Sequence, residues 1–87
     1  MRYKIIISKY ALKELSKLPQ INREKIAIEI DALSENPRPI GCIKLKGKSE
    51  VLWRIVVGDF RVLYSIEDKI KIVEVRKVGD RKEVYKH

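Results

Sequence analysis

Eighty-seven residues, 45% of them hydrophobic, suffice for one small core, so a single domain over residues 1–87 is expected. Twenty Lys and Arg against twelve Asp and Glu give a formal charge of +8, which directs the surface toward phosphates or an acidic protein. A single cysteine, Cys42, excludes an internal disulfide and a cysteine-based zinc site, and no residue pattern calls for a metal or cofactor.

The first element predicted along the chain is a strand at Tyr3-Lys4-Ile5-Ile6-Ile7, a β-branched and aromatic run. It is too short for a signal peptide or a membrane span, so a cytoplasmic location away from membranes is expected. Ser8 is placed to cap a helix. The spacing of Ala11, Leu12, Leu15 and Leu18 predicts that helix over Lys9 to Leu18, with Pro19 at its end or at the start of the next. Ile26, Ile30 and Leu33, flanked by Ile28 and Ala32, predict a second helix from Gln20 to Glu35, stopped by Asn36-Pro37-Arg38-Pro39.

The period then changes from helix to strand. Val51 to Val57 and Phe60 to Ile66 are β-rich runs separated by Gly58-Asp59, which suits a two-residue type II′ turn. That turn pairs Val57 with Phe60, Ile55 with Val62, Trp53 with Tyr64 and Val51 with Ile66, all on the core side. Trp53 and Tyr64 are therefore expected as core residues rather than base-stacking platforms. The other side receives Leu52, Arg54, Val56, Arg61, Leu63 and Ser65, with Arg61 diagonal to Arg54. A further antiparallel strand is predicted from Ile70 to Val78, broken at Gly79. The order is β-α-α-β-β-β, an α+β fold whose antiparallel sheet carries a two-helix hairpin on one face.

Positive charge concentrates in the middle of the chain: residues 38–61 carry six cations against two anions. Arg54 and Arg61 share the open sheet face, Lys44, Lys46 and Lys48 lead into the same hairpin, and Arg76, Arg81 and Lys82 follow from the last strand and tail. Fork-shaped guanidiniums bind phosphate oxygens in pairs and lysines add steering charge, so these residues form a candidate nucleic-acid surface. The competing expectation for the lysines is a merely solvated face.

The segments Leu45-Lys46-Gly47, Leu52-Trp53-Arg54-Ile55 and Val57-Gly58-Asp59-Phe60-Arg61-Val62-Leu63-Tyr64 resemble the central block of RelE-type toxins. Val78-Gly79-Asp80-Arg81-Lys82-Glu83-Val84-Tyr85 is similar to the closing motif of that family, and Ala11-Leu12-Lys13-Glu14-Leu15 with Leu18-Pro19 to its first helix. The resemblance implies the toxin half of a type II toxin–antitoxin pair. It also implies an endoribonuclease that cuts mRNA in the ribosomal A site without a metal. The RNA 2′-OH attacks the adjacent phosphate there. Carried over by motif, Arg61 and Arg81 hold and neutralise that phosphate, Arg54 shares the role and Tyr85 orients or stacks the nucleotide. Lys46 is assigned to ribosomal RNA.

Two positions depart from the pattern. Val56 stands where well-known RelE enzymes carry a second basic residue, and Asp80 stands where many relatives carry histidine. Asp80 and Glu83 are then the candidate proton acceptors, since arginine is a poor base. The implied partners are a cognate antitoxin, the ribosome with its mRNA, and operator DNA reached through the antitoxin complex. Two other functions stay open: a ParE-like toxin directed at gyrase, and an inactive relative that only binds its antitoxin.

Overall fold

The computed structural model describes residues 2–47 and 49–80. In chain order it contains β1 (Lys4–Ile7), α1 (Lys9–Ser16), α2 (Gln20–Ala32), β2 (Ile43–Lys46), β3 (Val51–Val57), β4 (Phe60–Glu67) and β5 (Ile72–Asp80). The five strands form one sheet in the spatial order β1-β5-β4-β3-β2. The α+β class and the helix-covered sheet agree with the sequence expectation. Two features of the sheet do not. A short strand, β2, precedes the hairpin, pairing Ile43 with Arg54 and Leu45 with Leu52. In addition β1 runs parallel to β5, with Lys4 opposite Ile72 and Ile7 opposite Val75. The helices intervene between β1 and the run β2 to β5, so the first strand is free to join the far edge alongside the last.

Local chemistry sets the element ends. The Ala11 N–H donates to Ser8 Oγ (3.1 Å), which caps α1 as expected. That helix stops at Ser16 instead of Leu18, because the Lys17 and Leu18 N–H groups close tighter turns onto Glu14 and Leu15 ahead of Pro19. Tight turns also replace the last three residues expected for α2, with Leu33, Ser34 and Glu35 donating to Ile30, Asp31 and Ala32. β5 begins two residues late because Lys71 takes a left-handed φ of 55° to end the preceding turn. It is not broken at Gly79 but continues to Asp80, since those residues pair with Arg61 and Phe60.

One core lies between helices and sheet. Ala11, Ile26, Ile30 and Leu33 pack against Ile55, Val62, Tyr64, Val73, Val75 and Val78. Beyond Ile7, where β1 ends, α1 completes the edge of β5. Ser8 N–H donates to the Val75 carbonyl (3.0 Å), Ser8 Oγ donates to the Arg76 carbonyl (3.3 Å), and Glu14 Oε1 accepts from the Val78 N–H (2.8 Å). An edge that would otherwise invite a foreign strand is closed by the protein's own helix.

The loop after α2 is anchored at two points. Tyr64 is wholly buried and its hydroxyl donates to the Pro37 carbonyl at 2.7 Å. Burial drives the Tyr64 hydroxyl well above its ordinary pKa, with Cys42 adding to the effect. Next to it, Arg38 lies over the Trp53 ring at 4.9 Å and donates twice to Asp68, at 3.2 and 2.8 Å, while the Tyr3 hydroxyl donates to the same carboxylate at 2.6 Å. Hydrogen bonds from Arg38 and then Tyr3 hold Asp68 down at a pKa of about 2.

Tyr64→Phe leaves the buried Pro37 carbonyl without its donor and should cost about 1–3 kcal/mol in urea unfolding. Asp68 is ionised more readily folded than unfolded, so it stabilises the fold above its ordinary pKa and loses that contribution as pH falls. Asp68→Asn should therefore be destabilised at neutral pH, and its deficit should close as pH falls from 3.8 to about 2, as followed by pH-dependent melting.

Candidate nucleic-acid interface

The Gly58 turn, at φ 61°, produces the expected register: Val57 pairs with Phe60, Ile55 with Val62 and Trp53 with Tyr64. Val51, also expected on the core side, is 42% exposed at the start of β3. The intervening pairs, Arg54 with Leu63 and Val56 with Arg61, face away from the helices. Arg54 and Arg61 are thus diagonal neighbours on one open face, about 7–8 Å apart by ordinary strand spacing. On the β5 side, Arg61 has Gly79 as its partner, a residue that brings no side chain.

The Nε atoms of both arginines are screened from solvent, and that of Arg61 has no hydrogen-bond partner among the described residues. A buried donor without an acceptor costs free energy, which an anionic oxygen placed there would recover.

Strand β5 adds a third cation that the sequence expectation missed. A bulge lies between the pairs Leu63–Lys77 and Tyr64–Val75, leaving Arg76 as the extra residue. Val75 and Val78 both point into the core, so Arg76 and Lys77 are consecutive on the open face. Ile43, Arg54, Leu63 and Lys77 consequently form one row across four strands. Strict alternation from Val75 places Lys77 inward, and nothing in the sequence marks the bulge. Arg76, expected to bind nucleic acid, is engaged by Glu50 at 3.0 and 2.9 Å and lies 3.6 Å from Glu74.

Other candidates do not join this cluster. Lys44 and Lys46 pair with Trp53 and Val51, which puts them on the helix-bearing side, and Lys44 Nζ lies 5.9 Å from the Trp53 ring centre. Asp80 pairs with Phe60, again on the side opposite Arg61. Lys48, Arg81, Lys82, Glu83 and Tyr85 lie outside the described residues. Among the described residues there is no group of three His, Cys, Asp or Glu arranged to hold a metal, and no helix long and apolar enough to cross a membrane.

Residues 5–85 match the sequence family described as the ParE toxin of the type II toxin–antitoxin system parDE. The chain belongs to the RelE/ParE family of toxins. A relative assigned as toxin RelE1 of Methanocaldococcus jannaschii is 36% identical over 100% of this chain and 99% of its own. The RelE of the archaeal RelE–RelB complex from Pyrococcus horikoshii superposes with a TM-score of 0.82 at 32% identity, covering 95% of this chain and 99% of that one. The isolated RelE toxin of E. coli superposes with a TM-score of 0.64 at 29% identity, covering 95% and 90% respectively. This toxin thus carries a family fold with a cationic cluster on its uncovered sheet face.

Arg61→Met removes a buried donor that has no acceptor among the described residues and keeps the aliphatic stem. Its stability should be unchanged or raised by up to about 1 kcal/mol, while retention on a heparin or polyphosphate matrix falls. Thermal melting and salt elution measure the two effects separately.

Proposed function

We propose that this toxin is a ribosome-dependent mRNA endonuclease whose open sheet face binds the scissile phosphate. The observation that carries the proposal is the diagonal pair Arg54 and Arg61 on one face, with the Arg61 Nε buried and lacking an acceptor among the described residues. Lys77 extends that charge in the Arg54 row and offsets the loss of the basic residue that Val56 replaces.

In this mechanism the 2′-oxygen attacks the adjacent phosphorus and gives up its proton. The bond from phosphorus to the 5′-oxygen breaks, and that oxygen takes up a proton. The products are a 2′,3′-cyclic phosphate and a 5′-OH. Negative charge on the phosphoryl oxygens grows toward the transition state, and guanidiniums already fixed in place stabilise it without reorganising. Arg81 completes the phosphate clamp and Tyr85 orients the nucleotide. Asp80 shares the side of Phe60, which leaves Glu83 as the carboxylate that accepts the 2′-OH proton.

The partner in the cell is a cognate antitoxin, as in the RelE–RelB complex of P. horikoshii. Charge of +8 suits an acidic partner, and the partly exposed Ile6, Ile43 and Val56 give it apolar footing on the same face. Through that complex the toxin reaches operator DNA. A gyrase-directed activity is the second reading, favoured by the ParE description of the matching family.

Purified toxin should cleave labelled mRNA on programmed ribosomes, in the A site, leaving 2′,3′-cyclic phosphate ends. Arg61→Ala and Arg81→Ala should each lose about 100-fold or more in rate. Growth arrest without cleavage, accompanied by covalent gyrase–DNA complexes, would assign the second reading. Absence of both activities would leave antitoxin binding as the sole function.

A further inference from the structure

The β2–β3 hairpin delivers one carboxylate to the edge of the cationic face. Its turn closes through a hydrogen bond from Gly47 N–H to the Glu50 carbonyl at 2.9 Å, and a Cβ on Gly47 would stand 2.9 Å from that same oxygen. Only glycine lets the turn close this tightly, and the closure fixes Glu50 at the start of β3. From there the Glu50 carboxylate accepts both terminal nitrogens of Arg76, at 3.0 and 2.9 Å. The pair joins β5 to the entrance of β3 and so crosses over β4, along a diagonal that passes the small Ser65.

A guanidinium fork fits a carboxylate and a phosphate in the same bidentate way. Arg76 follows the face that holds Arg54 and Lys77, so its charge belongs to that surface by position. Glu50 and the nearby Glu74 neutralise it. Both members of the main pair are partly solvent-exposed, 35% for Arg76 and 43% for Glu50, and such pairs add little to folding stability. The exchange of one anion for another at Arg76 is therefore inexpensive.

We propose that Arg76 is a latent phosphate ligand and that Glu50 occupies its fork in the free toxin as a stand-in for a phosphate of the bound RNA. Binding of the strand displaces Glu50, and Arg76 then contacts a phosphate flanking the one held by Arg54 and Arg61. The inference rests on the RNA-binding reading above. It sets the length of the site, one phosphate contact longer than the free structure displays, and makes the β2–β3 turn responsive to RNA.

The probe is a short single-stranded RNA carrying 2′-O-methyl groups, which cannot be cleaved, followed by fluorescence anisotropy over a range of salt. Glu50→Gln should tighten binding about three- to fivefold, the scale of one partly exposed ion pair. It should also steepen the slope of log affinity against log salt by roughly 0.7, one more phosphate contact on a single strand. Both gains should vanish when Arg76→Ala is added, and Glu24→Gln, a like charge change on α2, should not reproduce them. In the unaltered protein, the Arg76 Nε–Hε resonance should shift as the oligonucleotide is added, a readout independent of how any variant folds.

Binding by wild type that Arg61→Ala abolishes, with no gain in Glu50→Gln or a gain that persists without Arg76, would overturn the latent-ligand assignment and leave the RNA-binding reading standing. An unmoved Arg76 resonance under the same binding would do the same. Failure of wild type and Glu50→Gln alike to bind the oligonucleotide would also overturn the latent-ligand assignment, while the cleavage assay on programmed ribosomes decides the proposed function separately.

Discussion

Two residues, Gly58 and Asp59, decide which side of the sheet each paired residue of β3 and β4 occupies. A register slipped by one residue would turn one strand over relative to the other, setting Arg61 on the side of Ile55 and Val62 on the side of Arg54. The turn thus fixes the hydrophobic core and the cationic cluster in one step. The other side of the sheet is built onto this hairpin. β5 pairs with β4, β1 joins β5, and α1 covers what β1 leaves open.

The two sheet faces solve opposite problems. On one side the helices bury Val62, Tyr64, Val73 and Val75 completely, and the loop that follows α2 is held by Tyr64 and by the Arg38–Asp68–Tyr3 group. On the other side two guanidiniums stand close together with their Nε atoms screened from water. Like charges held together and only partly solvated lower stability, and the ordered, helix-covered face supplies the rigidity that keeps them in place.

How much of this was legible in the sequence differs by element. The hairpin register was readable because a two-residue glycine turn leaves a single pairing, and with it came the shared face of Arg54 and Arg61. The helices were readable from Ile26, Ile30 and Leu33, although their last residues were overextended into turns whose side chains keep the same spacing. Ile43-Lys44-Leu45-Lys46 does alternate, but four residues beside a basic run read equally well as a charged lead-in. The cost of missing β2 was to place Lys44 and Lys46 with the arginines, when pairing to Trp53 and Val51 turns them to the other side. The bulge at Arg76 had no local signature at all, since it arises from fitting β5 to its neighbours. Lys77 and the Arg76–Glu50 contact were hidden for that reason. The parallel β1 was equally illegible, because nothing in Lys4–Ile7 names a partner so distant in the chain.

That last pairing bears on how the toxin comes into being. Ser8, at the end of β1, meets Arg76, 68 positions away. Strand β1 therefore waits for β5, and long-range closure of this kind is slow compared with hairpin formation. During synthesis β3 and β4 can pair while β4 still lacks its second neighbour and Ile5 and Ile7 lack their place in the core. A nascent chain in that state carries an unpaired strand edge and exposed apolar surface, the features that expose partly folded chains to aggregation and proteolysis. Interrupted translation of the toxin would thus yield fragments bound for degradation, and a lasting product only once β5 has emerged.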